Sequence, residues 1–449
     1  MGPDRRTGFR GVRALRAVGL LVLVTVALPG IASGQATSEF PVCGTEGPSF
    51  GPPVRLGTGT GYEPGIRIDS IGTIFYTAHD VTPAGVGAYE PSENRTASWL
   101  YRSADGGETW EVMGGGVADE NKLFPALEGD LAIDAEDRLY FVDTWALDNN
   151  IARWSDHGTT LDFVRPAVAT YEVDDRPWIT AHGDGFVYYM SNTGYKHDGR
   201  LTIHRSTDGG TVFDPVGFTL PRSGWGTLDA DPGSEYVYAF VNDQFYNGQY
   251  PFSGPSTEVR LWRSADRGAT WEGVKVADLR DGDDATHVDY PQVAVSPVDG
   301  SVYTLWGDGD RMTLGRTLDH GTTWETWDVT PFDGAYDSGA LTVGFDGTVA
   351  IGFHHANHIW ATFWRPASDC LLVEGDPETL CTGPSSVTVQ TETEPAPDQE
   401  HFFQIRFDPT DNSLNIPYEN TPGHNKFVRQ AAGPNISGAA TCGHVVLGD

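Results

Sequence analysis

The chain has 449 residues, with 62 acidic against 29 basic side chains and a formal charge of −33. So acidic a surface repels phosphate backbones, which excludes DNA or RNA as a partner. Apart from one run near the N-terminus, no segment is apolar enough to cross a membrane, so no stable membrane insertion is expected.

Residues 1–35 read as a secretory signal peptide. Arg5, Arg6, Arg10, Arg13 and Arg16 form a basic leader, Ala17 to Leu28 an apolar run, and Ala32, Ser33 and Gly34 a small-residue cleavage region. Arg5-Arg6 hints at twin-arginine export, although Phe9 falls one place too late for that signal. Cleavage takes the formal charge from −33 to −37, because five Arg and one Asp leave with the leader. Only four Lys occur, at Lys122, Lys196, Lys275 and Lys426. Strong acidity with few Lys suits a salt-rich habitat, and it equally serves solubility. A secreted or extracytoplasmic location follows from the leader.

Residues 36–449 are predicted as one all-β domain. A short strand at Val54-Arg55-Leu56 comes first. Pairs of short strands around tight turns then recur at 63–76, 129–142, 176–189, 227–238, 290–303, 339–351 and 403–416. Their matching positions, Asp69, Asp134, His182, Asp231, Ser296, Gly344 and Asp408, lie 48 to 65 residues apart. A fixed unit at such a spacing marks a repeat architecture. The first strand of a unit alternates, as in Ile66 and Ile68, Leu131 and Ile133, or Ile405 and Phe407, so one set of side chains is buried between neighbouring units.

A second pattern follows the strand pairs. It reads Ser103, Asp105, Gly107, Thr109, Trp110, and returns with Asp208, Gly210 and Phe213, with Asp266, Gly268, Thr270 and Trp271, and with Asp319, Gly321, Thr323 and Trp324. A weaker copy carries Asp156, Gly158, Thr160 and Leu161. Asp and Ser side chains bond nearby backbone N–H groups, Gly supplies a conformation other residues resist, and the aromatic plugs the turn into a core.

This pattern resembles the Asp-box of sialidases and other BNR-repeat β-propellers. The resemblance implies a β-propeller of four-stranded blades. Seven units point to seven blades, with Val54–Leu56 as the outer strand of the last; the alternative is six blades with 365–449 as an appendage. The sixth and seventh units lack an Asp-box, and in the sixth the segment from Cys370 to Cys381 stands in its place. A ring fold brings its ends together, so Cys43 is expected to pair with Cys442, and Cys370 with Cys381 as a hairpin staple.

In such a propeller the Asp-boxes join third and fourth strands on one face, and the inner strands start at the other. The expected site therefore lies on the face opposite the Asp-boxes. Residues at or beside the inner-strand starts would line it: Glu63, Glu128, Asp175 and Tyr290 as the catalytic set, with Arg176, Trp225, Arg67, Asp289 and Asp337 binding substrate. Flat aromatics stack on pyranose faces, carboxylates bond hydroxyls, and two carboxylates can divide acid and base or nucleophile roles. Sialidases hold their substrate carboxylate with three arginines, the first in a Phe/Tyr-Arg-Ile-Pro motif. Here Gly61-Tyr62-Glu63-Pro64 stands in that place, with Tyr62 where the Arg belongs. Arg67, Arg176 and Arg406 are the inner-strand arginines, and their registers read as different.

No cofactor is expected. His354, His355 and His358 lie on one loop without the helical spacing zinc prefers, which reads as a polar hairpin. Asp281, Asp283 and Asp284, and Asp308 and Asp310, are oxygen-rich and could hold calcium, the one alternative to no cofactor, although they match no complete calcium loop. Asn94 and Asn435 sit in glycosylation sequons. Two functions fit: a secreted, sialidase-like glycoside hydrolase acting on an extracellular glycan, or a non-catalytic propeller binding a glycan or glycoprotein at the cell surface. A monomer is expected.

Overall fold

A computed structural model describes residues 48–60, 62–79, 98–113, 128–145, 148–168, 174–193, 200–243, 256–279, 291–308, 311–332, 337–365, 385–392, 403–420 and 424–431. All regular structure in them is strand, arranged as seven antiparallel sheets of four. The inner strands are Tyr62–Ile68, Glu128–Ile133, Asp174–His182, Gly226–Ala230, Gln292–Val295, Asp337–Val343 and Arg406–Phe407, in blades 1 to 7. Each packs beside the next, and the last beside the first, so the sheets close into a seven-bladed ring. Six blades with an appendage is thereby excluded.

Closure uses the strand read first in the sequence. Val54–Thr60 pairs antiparallel with His424–Arg429 as the outer strand of blade 7, with Val54 opposite Phe427. Leu56 is fully buried there. The buried apolar side chains fall into seven clusters, one per blade interface. Alternation causes this: Phe75 packs toward blade 2 while its neighbour Tyr76 packs toward blade 7.

An inner strand is a sheet edge, and its N–H groups need partners once buried at the axis. Neighbouring blades supply them. The Ile179 N–H donates to Asp130 Oδ2 (3.0 Å), Val293 N–H to Thr227 Oγ1 (2.9 Å), Val295 N–H to Asp229 Oδ2 (2.8 Å) and Ile66 N–H to Gln404 Oε1 (3.4 Å).

The Asp-boxes form as the residues dictate. Ser264 Oγ accepts from Gly268 N (2.7 Å) and donates to Asp266 Oδ1 (2.8 Å), and Asp266 accepts from Thr270 N (2.8 Å). The same bonds recur around Asp105, Asp208 and Asp319. Trp110 stacks edge-on against Phe427 of blade 7, whereas Leu161 of the weak copy is 41% exposed and plugs nothing.

A further device was absent from the sequence reading. An arginine just before four of the five Asp-boxes reaches the next blade and donates to a carbonyl inside its Asp-box; Arg316, before the fifth, pairs with Glu325 of its own blade. Arg102 Nε bonds His157 O (2.7 Å), Arg153 Nη1 bonds Gly209 O (2.9 Å), Arg205 Nη1 bonds Arg267 O (3.0 Å) and Arg263 Nη1 bonds His320 O (2.6 Å). The accepting residues all have positive φ, which turns the carbonyl toward the arginine.

Candidate functional site

Strand register fixes which face is which. Ile68 pairs with Ile74, and Ile74 with Ser103, so the Asp-boxes share a face with the turns that follow the inner strands. The inner-strand starts open on the other face, and the expected site residues distribute around it as follows.

Glu63 stands in a β-bulge between Tyr62 and Gly65, half-buried, with φ of 49°. Left-handed backbone is unfavourable for a glutamate, and a residue before proline is normally held extended, so Pro64 makes the conformation doubly costly. Glu128 begins the inner strand of blade 2, opposite Thr144. Asp175 and Arg176 open that of blade 3, Asp175 opposite Asn192, with a second bulge before Trp178. Asp337 begins that of blade 6, opposite His354. Trp225 precedes the inner strand of blade 4, its backbone locked to Asn242 by bonds from Trp225 N to Oδ1 (2.9 Å) and from Asn242 N to Trp225 O (2.9 Å). These positions share one end of the ring. Asp289, Tyr290 and all four cysteines lie outside the described residues, as does the leader.

Arg67 is placed differently. It lies near the far end of its strand, inside an axial cavity of about 530 Å³ rimmed by turns on the Asp-box face. It stands two residues before Asp69, as Arg406 stands two before Asp408. These two arginines therefore share a register, correcting the sequence reading; only Arg176 differs. Arg67 donates to the side chain of Gln404 and to Ile66 O (2.8 Å), and lies 3.8 Å from Asp130.

Asp130 is consumed by architecture. It accepts from Leu131 N (2.7 Å), Ile179 N (3.0 Å) and Gln404 Nε2 (2.8 Å), tying blades 7, 2 and 3 together at the axis. A Cβ at Gly65 would come 3.0 Å from Thr77 Cγ2 on the neighbouring strand, so glycine permits a close approach there.

Buried polar residues that close the second strands on the same face went unremarked in the sequence: Asp143, Asn192, Asp243 and Glu419. Their signal is a polar residue ending an apolar strand run. Asp243 organises the wall beside Trp225, accepting from Thr257 N (2.6 Å) and Glu258 N (2.9 Å). Buried Glu258 in turn pairs with Arg260 and lies 3.7 Å from Arg222.

His355 and His358 flank a two-residue turn in which Ala356 and Asn357 both have positive φ. His355 stacks on Phe332, with ring centroids 5.1 Å apart, and His358 Nδ1 lies 3.1 Å from Glu392. This is a polar hairpin, as the sequence suggested. Among the described residues no group of three or more His, Cys, Asp or Glu is placed to hold a metal, and no helix is long and apolar enough to cross a membrane.

No protein-family profile matches the chain. A xyloglucanase from Paenibacillus sp. is 29% identical over 282 residues, 56% of this chain and 25% of that protein, so the chain spans about a quarter of that relative. Among solved structures, a fungal alcohol oxidase in complex with copper superposes with a TM-score of 0.53 at 10% identity, covering 86% of this chain and 76% of that one. A microbial sialidase gives 0.44 at 16% identity over 66% and 63% of the two chains. Shared blades carry unrelated chemistries, so the likeness to the alcohol oxidase speaks for the fold alone. The chain is a seven-bladed β-propeller whose blades carry Asp-box turns.

Proposed function

We propose that the protein is a secreted glycoside hydrolase that cleaves an extracellular polysaccharide at the face opposite the Asp-boxes. The observation that carries this reading is Glu63. A glutamate held at φ 49° before a proline persists only where the surroundings enforce it, and such strain gathers at functional sites. Glu128, Asp175 and Asp337 begin three other inner strands at the same end of the ring, which supports a choice of two carboxylates for acid and base or nucleophile work. Trp225 would supply a stacking face and Arg176 a hydroxyl or anion contact. A neutral sugar needs no arginine grip on a carboxylate, and Tyr62 in place of the sialidase arginine favours one. The similarity to a xyloglucanase makes a glucan backbone the first substrate to try.

The test is hydrolysis of xyloglucan, arabinan and a sialoside by the wild-type protein and by Glu63→Gln, Glu128→Gln, Asp175→Asn and Asp337→Asn. Loss of at least about 100-fold in kcat for two of the four, with folding retained, is expected. Turnover that survives all four changes refutes the assignment. No turnover on any substrate, with Trp225-dependent binding on a glycan array, replaces it with a glycan-binding propeller.

A further inference from the structure

The axial cavity on the Asp-box face has a charge arrangement that its own residues leave incomplete. Arg67 and Arg406 occupy the same register on adjacent inner strands and both line it, with Thr180, Thr342 and Asp229 across from them. Arg67 is provided for by Gln404, Ile66 O and the nearby Asp130. Arg406 is not: Nη1 donates to Ile405 O (2.7 Å), and among the described residues no carboxylate forms an ion pair with it. Asp229 cannot swing to it without cost, because its oxygens accept from Ala230 N (2.9 Å) and Val295 N (2.8 Å). Burial first, and the Arg67 charge second, push the Arg406 guanidinium below the ordinary arginine value, while Asp229 and Asp130 push it back. Two like charges side by side in a partly desolvated cavity repel strongly unless an anion lies between them.

We propose that this cavity is an anion site in which Arg406 and Arg67 together hold one small monovalent anion, a halide or a carboxylate. Guanidinium groups present the forked donors that either needs. Single charge follows from Asp229, which lines the cavity with Asp69, Asp134 and Asp137 nearer its rim, and from Asp130 beside Arg67; together they disfavour a divalent ion. The cavity has ample room, at about 530 Å³. Its lining includes half-exposed Phe345, which lets an organic carboxylate lay an apolar flank there. The site lies at the opposite end of the inner strands from Glu63, Glu128, Asp175 and Asp337, so its test needs no turnover.

Crystals of the intact protein soaked in sodium bromide test this directly. An anomalous peak within about 4 Å of both guanidinium groups is expected. Sodium formate added at equal concentration removes the peak if a carboxylate is preferred and leaves it if a halide is. In solution, bromide should raise the melting temperature saturably above sodium sulfate of equal ionic strength, a control for plain screening of so acidic a chain. Arg406→Gln should weaken that effect at least tenfold. No axial peak in the wild-type crystal overturns the proposal whether or not the variant folds. So does a folded Arg406→Gln protein that responds to bromide as the wild type does.

Discussion

The two ends of the inner strands use the same residue types, aspartate and glutamate, for opposite purposes. At the Asp-box end the aspartates that close the inner-strand turns accept from backbone N–H groups within a few residues. Asp69 accepts from Ile71 N (3.1 Å) and Thr73 N (2.7 Å), Asp134 from Glu136 N (3.0 Å) and Arg138 N (3.1 Å), and Asp408 from Thr410 N (2.8 Å). At the other end Glu63, Glu128, Asp175 and Asp337 stand at or beside strand starts, in four different blades. Periodic carboxylates build this propeller. Aperiodic ones, at equivalent places in different blades, are those the proposed chemistry would use.

The sharpest way to break that comparison is Glu63→Gly. Glycine accepts φ of 49° freely, so stability should hold or rise by up to about 1 kcal/mol. Activity should fall by about 10²–10⁴-fold, as for loss of a general acid or base. A thermal melt beside a kcat measurement reads both; a variant that loses stability and keeps turnover would make Glu63 architectural.

Gly107→Ala on the opposite face should behave in reverse. Gly107 has φ of 89°, and a Cβ there would lie 2.1 Å from the Phe427 ring. Left-handed strain and overpacking together predict a loss of about 3 kcal/mol. Gly183, with φ of 53° and nothing within 4 Å, should cost only about 1 kcal/mol on the same change. Urea midpoints separate the two, and turnover of the folded fraction should stay unchanged in both.

Much of this was legible because it is local. Blade number, inner strands and Asp-boxes each write themselves into stretches of under twenty residues, and ring closure by Val54–Leu56 follows from counting. The arginine clamp was equally periodic, at Arg102, Arg153, Arg205 and Arg263, yet its acceptor is a backbone carbonyl in the next blade, which leaves no mark on residue identity. The shared register of Arg67 and Arg406 needed only the reference positions Asp69 and Asp408, but those are separated by nearly the whole chain. Site residues could be placed at strand starts; which of them face one another depends on connections of unequal length, and these carry no period.

The clamp gives a smaller, graded test. Arg205→Ala removes a charge-assisted bond to Arg267 O across the interface of blades 3 and 4 and should cost about 1.5–3 kcal/mol. Arg311→Ala breaks an exposed 3.2 Å pair with Asp328 and should cost under about 0.5 kcal/mol. Equal urea midpoints for the two variants would reduce the clamp to an ordinary surface contact.

The smallest effect belongs to the Asp-box carboxylate itself. Asp266→Ala would cost about 1–3 kcal/mol if it left buried N–H groups without an acceptor. The structure puts the Asp266–Thr270 bonds at an exposed position, where water substitutes, while the buried hydroxyl is that of Ser264. About 1 kcal/mol is therefore expected for Asp266→Ala. The side-chain hydroxyl of Thr270, ahead of the backbone bonds, lowers the Asp266 carboxyl to about 2. A depressed folded value means that the contribution is fully present above the unfolded value of about 4 and is lost as pH falls from there toward 2. The stability difference between wild type and Asp266→Ala should accordingly be constant from pH 7 to 5 and shrink below pH 4. A gap that widened on acidification would show that the carboxylate is strained in its turn, and the periodic face would then resemble the one proposed for catalysis.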